Sequence, residues 1–120
     1  MIDNMIQSLS SLYPLLIKQC SWDEDALTLV GADWNFNTLS AWRIAYEEKI
    51  QFACWDKEIS DRLKELEGLS IVSLMAQGQY VQEDPVFELS DGRYLEIFST
   101  DTVEPWAFQI PGGKIYVGGY

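Results

Sequence analysis

The chain has 120 residues, of which 48% are apolar and 22% charged, a composition typical of one globular domain spanning residues 1–120 rather than of a disordered chain. Acidic residues outnumber basic ones by 19 to 8 and give a net charge of −11, which predicts no nucleic-acid or membrane partner. The charge predicts either an attraction to a basic partner or only the solubility of a small protein. The absence of histidine excludes Ser-His-Asp and Cys-His catalysis and His-ligated zinc.

The cysteines and the first residues of the chain indicate its compartment. Cys20 and Cys54 are 34 positions apart, so they form neither a CxxC redox motif nor a four-cysteine metal site. Asp3 stands where an export signal needs bases, and no apolar run approaches the ~20 residues of a membrane helix. We therefore expect a cytoplasmic protein in which both thiols are reduced and partly buried.

The spacing of apolar residues predicts two helices. Over residues 2–12 they recur at steps of three and four, which predicts a core-facing helix that Pro14 ends near residue 12 or 13. A second helix is predicted over Asp56–Glu67, with its first residue as the N-cap and the glycine after it as the stop. On the solvent face of this helix, Glu58 and Arg62 have the spacing of an ion pair.

Most of the remaining chain predicts antiparallel strands, because apolar and polar residues alternate in short runs between turn residues. The predicted strands are Leu27–Gly31, Thr38–Tyr46, Lys49–Trp55, Leu69–Val81, Val86–Leu89, Tyr94–Ser99, Trp106–Ile110 and Ile115–Gly118. Together with the helices they predict an α+β fold, an antiparallel β-sheet meander with two helices in a single compact domain.

The Asp91-Gly92 turn allows a prediction of strand register. A three-residue loop over residues 90–92 pairs Phe87 with Leu95 and places the apolar residues of both strands on one face. A two-residue loop would instead mix apolar and polar residues on both faces. The sequence therefore predicts a G1-bulge hairpin at this position.

The Gly112-Gly113 turn leads to the opposite prediction. Here a two-residue loop of type I′ pairs Ile110 with Ile115 and Phe108 with Val117, so that the apolar residues coincide. The C-terminal half is accordingly predicted to be a β meander packed on at least one helix.

No motif predicts catalysis or a bound cofactor. Residues 111–114 lack the first glycine and the hydroxyl residue of a phosphate-binding loop, and they join two predicted strands. The acidic run at 23–25 lacks the spacing and the glycine of a calcium loop. Carboxylate pairs such as Glu88 and Glu96 arise by chance in so acidic a chain and do not by themselves indicate a glycosidase. We therefore expect no enzyme activity, no metal and no cofactor.

Aromatic residues are abundant, with five Trp, six Tyr and five Phe. Those in strand patterns, such as Trp42 and Phe108, are predicted to pack in the core, and core packing remains open for the others. Aromatic residues flanked by acids in predicted loops and turns have the composition of a protein-binding surface. These candidate partner-binding residues are Trp22, Asp23, Glu24, Asp25, Asp33, Trp34, Glu47 and Glu48.

The segment Phe87–Ile110, FELSDGRYLEIFSTDTVEPWAFQI, resembles the C-terminal part of small bacterial immunity proteins that accompany polymorphic and contact-dependent growth inhibition toxins. The shared features are a strand, the Asp91-Gly92 turn, a strand ending in LEIF and the segment Glu104–Trp106; an upstream strand like Ile50–Cys54 also fits. The resemblance implies a free monomer that binds its cognate toxin domain as a 1:1 heterodimer and occludes the toxin's active surface. It implies no contact residues, since these diverge between members.

Many toxins of this kind are nucleases, and the resemblance implies an RNase or tRNase before a DNase. A nuclease needs a basic surface to hold a phosphate backbone, and an acidic partner is steered onto such a surface. Three other functions remain open: a nucleic-acid mimic that inhibits many basic proteins, a protein-binding adaptor whose partner is not a toxin, and a small enzyme with a carboxylate cleft.

Overall fold

Two antiparallel β-sheets and two short helices surround a shared hydrophobic core in the computed structural model, which describes residues 2–78 and 83–119. The helices are α1 (Ile2–Leu9) and α2 (Ile59–Leu63), and a 3₁₀ turn at Lys64–Leu66 continues α2. The strands are β1 (Leu15–Leu16), β2 (Gln19–Asp23), β3 (Ala26–Val30), β4 (Asn35–Thr38), β5 (Ala41–Tyr46), β6 (Lys49–Ala53), β7 (Ser70–Ala76), β8 (Pro85–Leu89), β9 (Tyr94–Phe98), β10 (Trp106–Gln109) and β11 (Ile115–Val117). The predicted α+β class is confirmed.

The strands divide between two sheets, whereas the sequence predicts a single meander. The six-stranded sheet has the order β1-β7-β8-β9-β5-β6, and the five-stranded sheet has the order β11-β10-β4-β3-β2. In the C-terminal half, β7, β8 and β9 form a meander, after which the chain crosses to the other sheet for β10 and β11. Phe36 on β4 and Phe87 on β8 meet edge to face between the sheets, with ring centroids 4.8 Å apart.

The predicted strand Thr38–Tyr46 contains only the last residue of β4, whose residues 35–37 belong to no predicted strand, and its residues 41–46 form β5 in the other sheet. The hydroxyl groups of Thr38 and Ser40 both donate to the carbonyl of Pro105, at 2.6 and 3.2 Å, and hold the corner where the chain changes sheets. Leu39, between them, is 70% exposed. The sequence pattern does not show this corner because residues 38, 40 and 42 are all buried and the alternation continues through it.

β1 and β2 are not among the predicted strands. β1 has two residues, too few for a pattern, whereas β2 alternates three polar residues with Cys20 and Trp22, an alternation that is itself typical of a strand. The predicted strand Leu69–Val81 corresponds to β7, Ser70–Ala76, and positions 79–81 of that prediction lie outside the described residues.

Both helices are shorter than predicted. α1 ends at Leu9, before Pro14 is reached, where the Ser10 hydroxyl donates to the Gln7 carbonyl at 2.7 Å and competes with continued helical hydrogen bonding. Within the described residues, no helix is long and apolar enough to cross a membrane.

The predicted N-cap of α2, Asp56, is wrong. The N-cap position is Glu58, at φ 59°, and the Asp56 carboxylate instead accepts a hydrogen bond at 2.9 Å from the backbone N–H of Ala53 at the end of β6. Because Glu58 lies outside the helix, the predicted spacing to Arg62 does not apply. Arg62 pairs with Glu65 instead, with Nε to Oε2 at 3.0 Å.

The predicted register of the β8–β9 hairpin is confirmed. Phe87 pairs with Leu95, and the Gly92 N–H donates to the Leu89 carbonyl at 3.0 Å to close the three-residue loop, with Gly92 at φ 91°. Phe87, Leu89, Leu95 and Ile97 all face the core, as the pattern of burial requires.

The predicted register of the β10–β11 hairpin is wrong by one residue. Phe108 pairs with the buried Tyr116 rather than with Val117, and Ile115 is 60% exposed. The loop contains three residues, 111–113, because a proline and a glycine at φ 99° occupy the central positions of its turn. A type II turn favours proline at its second position and a left-handed glycine at its third. The pattern of apolar residues does not reveal this turn type.

Candidate interaction surface

Trp55 has the most exposed aromatic ring of the described residues, at 64% exposure. It follows β6 by two residues, has left-handed backbone at φ 70°, and donates its indole Nε1–H to Oδ1 of Asp25 at 3.2 Å. Asp25 lies in the β2–β3 turn, so this bond joins a turn of the five-stranded sheet to the end of a strand of the six-stranded sheet. The ring is held in place while its surface stays open to solvent.

Edge-to-face contacts connect Trp55 to the core. Its ring centroid lies 6.4 Å from that of Trp22 on β2, and Trp22 lies 5.7 Å from the buried Trp42 on β5. Trp42 in turn meets the buried Phe52 on β6 at 6.3 Å. Each such pair contributes about 0.5–1.5 kcal/mol beyond its buried area. Because fixed neighbours support the exposed ring, it has little conformational freedom left to lose on binding.

Three exposed carboxylates accompany these indoles on the β2–β3 hairpin. Asp23 pairs with Ala26 across a two-residue turn whose central residues, Glu24 and Asp25, have φ values of 51° and 66°. The structure therefore brings the predicted residues 22–25 together and adds Trp55 to them. We refer to this surface as the Trp55 patch, formed by Trp22, Asp23, Glu24, Asp25 and Trp55.

Acidic residues occupy left-handed backbone positions at several turns. Of the seven non-glycine residues with positive φ among residues 2–78 and 83–119, six are Asp or Glu and the seventh is Trp55. Left-handed backbone costs a side-chain-bearing residue roughly 1–2 kcal/mol. The two-residue turns at 24–25 and 47–48 are entirely acidic, although such turns favour Asn-Gly. These turns carry carboxylates where folding alone favours other residues.

The predicted residues Asp33 and Trp34 lie away from the Trp55 patch, beyond the opposite end of β3. Trp34 is 4% exposed and contacts the ring of Phe108 at 6.0 Å, so it is a core residue and not an interface anchor. It packs directly over Gly31, where a Cβ atom would lie 1.8 Å from the indole Nε1. Asp33 is exposed and borders a shallow groove.

Glu47 and Glu48 form the β5–β6 turn as predicted, but they lie at the other end of β6 from Trp55, roughly 20 Å along the strand. Glu48 lines a groove of about 510 Å³ on the outer face of the six-stranded sheet. The Arg43–Glu96 ion pair, with Nε to Oε1 at 2.7 Å, also lines this groove. The eight predicted residues therefore occupy three separate regions.

Sequence reasoning did not single out Trp55. The signal that could have found it is the strand period: with Phe52 and Cys54 facing the core, residues 53 and 55 face the other way. A tryptophan on the solvent side of a strand end, directly before Asp56, indicates an exposed aromatic ring beside an acid. The groove at Arg43 could not be found this way because it depends on which strands are neighbours.

The two cysteines are free, and both are buried rather than partly buried as predicted. Burial, with the neighbouring Glu67 carboxylate as the second cause, raises the pKa of Cys20 from 9.0 to about 12. Cys20 is therefore protonated at neutral pH and is not a nucleophile there. Among the residues that the structure describes, no three His, Cys, Asp or Glu side chains are grouped to hold a metal.

Comparison of the chain with protein-family models, curated proteins and solved structures found no significant match. The Trp55 patch combines an exposed and supported aromatic ring with three carboxylates on one hairpin. Such a surface can bind a basic protein: the ring is desolvated at the centre of the contact, and the carboxylates face cations at its rim.

Proposed function

We propose that the chain is a bacterial immunity protein that acts in the cytoplasm. It binds one cognate toxin domain as a 1:1 heterodimer and neutralises it by covering its active surface. The toxin is a nuclease with a basic surface, an RNase or tRNase before a DNase. The observation that carries the proposal is the exposed Trp55 ring, fixed by Asp25 and flanked by carboxylates.

The Trp55 ring supports this function as the anchor of the contact. Burying the exposed part of an indole, about 150 Å², contributes about 4 kcal/mol at 25 cal/mol per Å². An ion pair at the rim of an interface contributes about 0.2–1 kcal/mol. The ring therefore determines how long the complex lasts, and tryptophan is among the residues most enriched at the energetic centres of interfaces.

The negative charge supports a basic partner. A net charge of −11 on 120 residues steers a positively charged surface towards the chain before contact is made. A nuclease must present such a surface because it holds a phosphate backbone. Covering that surface excludes the nucleic acid without any chemistry on the inhibitor's part.

The acidic turns support a binding role over a purely structural one. Glu24 and Asp25 hold left-handed backbone at a cost in stability, and the Asp25 carboxylate accepts a hydrogen bond from the exposed ring. A residue kept against the backbone preference is typical of functional positions.

The experiment is co-expression of the chain with any toxin-like domain that the neighbouring gene encodes, followed by a survival count and co-purification. We expect wild-type protein to protect the cells and to co-purify with the toxin domain in a 1:1 ratio. Trp55→Ala should protect poorly, whereas Ile115→Ala, which truncates another exposed apolar residue on β11, at the opposite edge of the five-stranded sheet from β2, should protect like the wild type.

The outcomes separate the proposed function from its alternatives. Cells that die equally fast with and without the chain, with no complex recovered, contradict the immunity function. Recovery of a partner that is not a toxin indicates an adaptor. Equal binding of several unrelated basic proteins indicates a nucleic-acid mimic.

A further inference from the structure

Two arginines of this chain occupy the same kind of site, formed by an aromatic ring and a carboxylate. Arg43 places its Cζ 4.8 Å from the ring centroid of Phe98, and its Nε donates to Oε1 of Glu96 at 2.7 Å. The guanidinium is thus held by a ring face and by an anion at the same time, an arrangement to which its flat shape and its fork of donors are suited.

The second arginine site has the same two parts. Arg62 places its Cζ 4.5 Å from the ring centroid of Phe52, and its Nε donates to Oε2 of Glu65 at 3.0 Å. Glu65 also accepts from Arg93, whose Nε reaches Asp91 at 2.8 Å. All three arginines of the chain are therefore engaged within it.

Trp55 and Asp25 form a third combination of ring and carboxylate, with which no cation of the described residues is paired. The indole is 64% exposed, and Asp25 uses Oδ1 to accept the indole N–H at 3.2 Å. Among residues 2–78 and 83–119, no lysine or arginine stacks on this ring or pairs with this carboxylate. Tryptophan attracts a cation over its ring face more strongly than phenylalanine does. The Trp55 ring therefore favours a stacked cation more than Phe98 and Phe52 do.

We propose that Trp55 and Asp25 bind an arginine side chain of the partner protein. The guanidinium stacks on the open face of the Trp55 indole, and its N–H groups donate to Oδ2 of Asp25, while Trp22 forms a second wall at 76° to the first. Arginine is preferred to lysine because a planar fork can stack and donate at once. The inference rests on the proposed function only for the identity of the partner, the toxin domain.

The test needs no toxin, so that its failure is distinguishable from failure of the immunity function. The full chain, labelled with ¹⁵N, is titrated at constant ionic strength with the peptide acetyl-Gly-Arg-Gly-amide, and the five tryptophan indole N–H signals are followed by NMR. The control peptide carries citrulline, which has the shape of arginine without its charge. Trp55→Phe identifies the Trp55 signal by its loss.

We expect the arginine peptide to shift the Trp55 signal in a saturable way and to leave that of the buried Trp106 unmoved. Asp25→Asn should weaken the binding about fivefold or more, and this variant keeps the turn because Asn tolerates left-handed backbone. Asp33→Asn, which removes an exposed carboxylate elsewhere on the same sheet, should leave the binding unchanged.

Three results would overturn the inference. They are no shift of the Trp55 signal by the arginine peptide, equal shifts by the arginine and citrulline peptides, and equal weakening by Asp25→Asn and Asp33→Asn. A circular dichroism spectrum of each variant that matches the wild type shows that the fold is intact and that the comparison holds.

Discussion

Trp22 on β2 and Trp42 on β5 meet edge to face, with ring centroids 5.7 Å apart and planes at 70°. The contact joins the two sheets, because β2 belongs to the five-stranded sheet and β5 to the six-stranded sheet. Trp22 also meets Trp55 edge to face, with ring centroids 6.4 Å apart. Trp22 therefore serves both the stability of the fold and the shape of the Trp55 patch, whereas Trp55 itself serves the patch.

Substitution of the two tryptophans should separate these roles. Trp22→Ala loses two aromatic contacts and leaves space beside Trp42, so we expect it to lower the free energy of unfolding by about 2–3 kcal/mol. Trp55→Ala removes an exposed ring and should change the free energy of unfolding by less than about 1 kcal/mol. Urea unfolding followed by circular dichroism measures both values. Equal losses for the two variants would show that Trp55 is a structural residue.

The Glu47-Glu48 turn should be a site at which stability can be raised. Both residues have positive φ, at 50° and 65°, where a type I′ turn favours Asn followed by Gly. The double change Glu47→Asn and Glu48→Gly should raise the free energy of unfolding by about 1 kcal/mol. Glu47→Gln with Glu48→Gln removes the same charges but keeps the strain, and serves as the control. If this control is stabilised as much as the Asn-Gly variant, charge and not backbone strain is responsible.

The sequence determines register where burial and turn chemistry agree. At Asp91-Gly92 the pairing that gathers the apolar residues is also the one that a left-handed glycine closes, and that prediction is confirmed. At Gly112-Gly113 the apolar pattern favours a shorter loop, but Pro111 sets the turn type and moves Tyr116 into the core. Local turn geometry overrides the pattern when the two disagree.

The candidate site was only partly predictable for a different reason. Residues 22–25 are neighbours in sequence, so an acidic turn after a tryptophan is visible without a structure. Trp55 joins them because the two sheets meet there, a long-range contact that no local pattern encodes. Trp34, flanked by similar residues, is buried instead because Gly31 leaves space for its ring.

The burial of Cys20 should make stability depend on pH above about 9. Its pKa rises from 9.0 in the unfolded chain to about 12 in the fold, so between these values the unfolded state has lost a proton that the native state keeps. Stability therefore falls as pH rises, by up to about 1.4 kcal/mol per pH unit for this one group. Unfolding free energies measured from pH 8 to 11 should show this slope.

The matched variants assign that slope to one thiol. Cys20→Ala should reduce the slope of unfolding free energy against pH by nearly 1.4 kcal/mol per pH unit, the value for about one proton. Cys54→Ala keeps the Cys20 thiol and should leave the slope unchanged. Identical slopes in the wild type and both variants would show that other groups, and not Cys20, determine the alkaline loss of stability.

If the proposed function holds, the acids of the Trp55 patch should control how fast the proposed partner, the toxin domain, binds. Reversal of Asp23, Glu24 and Asp25 to lysine should slow association several-fold or more at low salt, and the difference should shrink as salt screens the charges. Stopped-flow association with the toxin domain at several salt concentrations measures this. Reversal of Asp33, Glu47 and Glu48 changes the net charge equally but away from the patch. If both triple variants slow association equally, the association rate depends on the net charge and not on the position of the acids.

Isothermal titration of the toxin domain with the wild-type chain and with Trp55→Ala tests the account most directly. We expect the wild type to bind in a 1:1 ratio and Trp55→Ala to bind about 30-fold or more weakly, the loss of ~2 kcal/mol that defines a residue at the energetic centre of an interface. Ile115→Ala should bind like the wild type. A wild-type chain that does not bind, or a Trp55→Ala variant that binds as tightly as the wild type, contradicts the account.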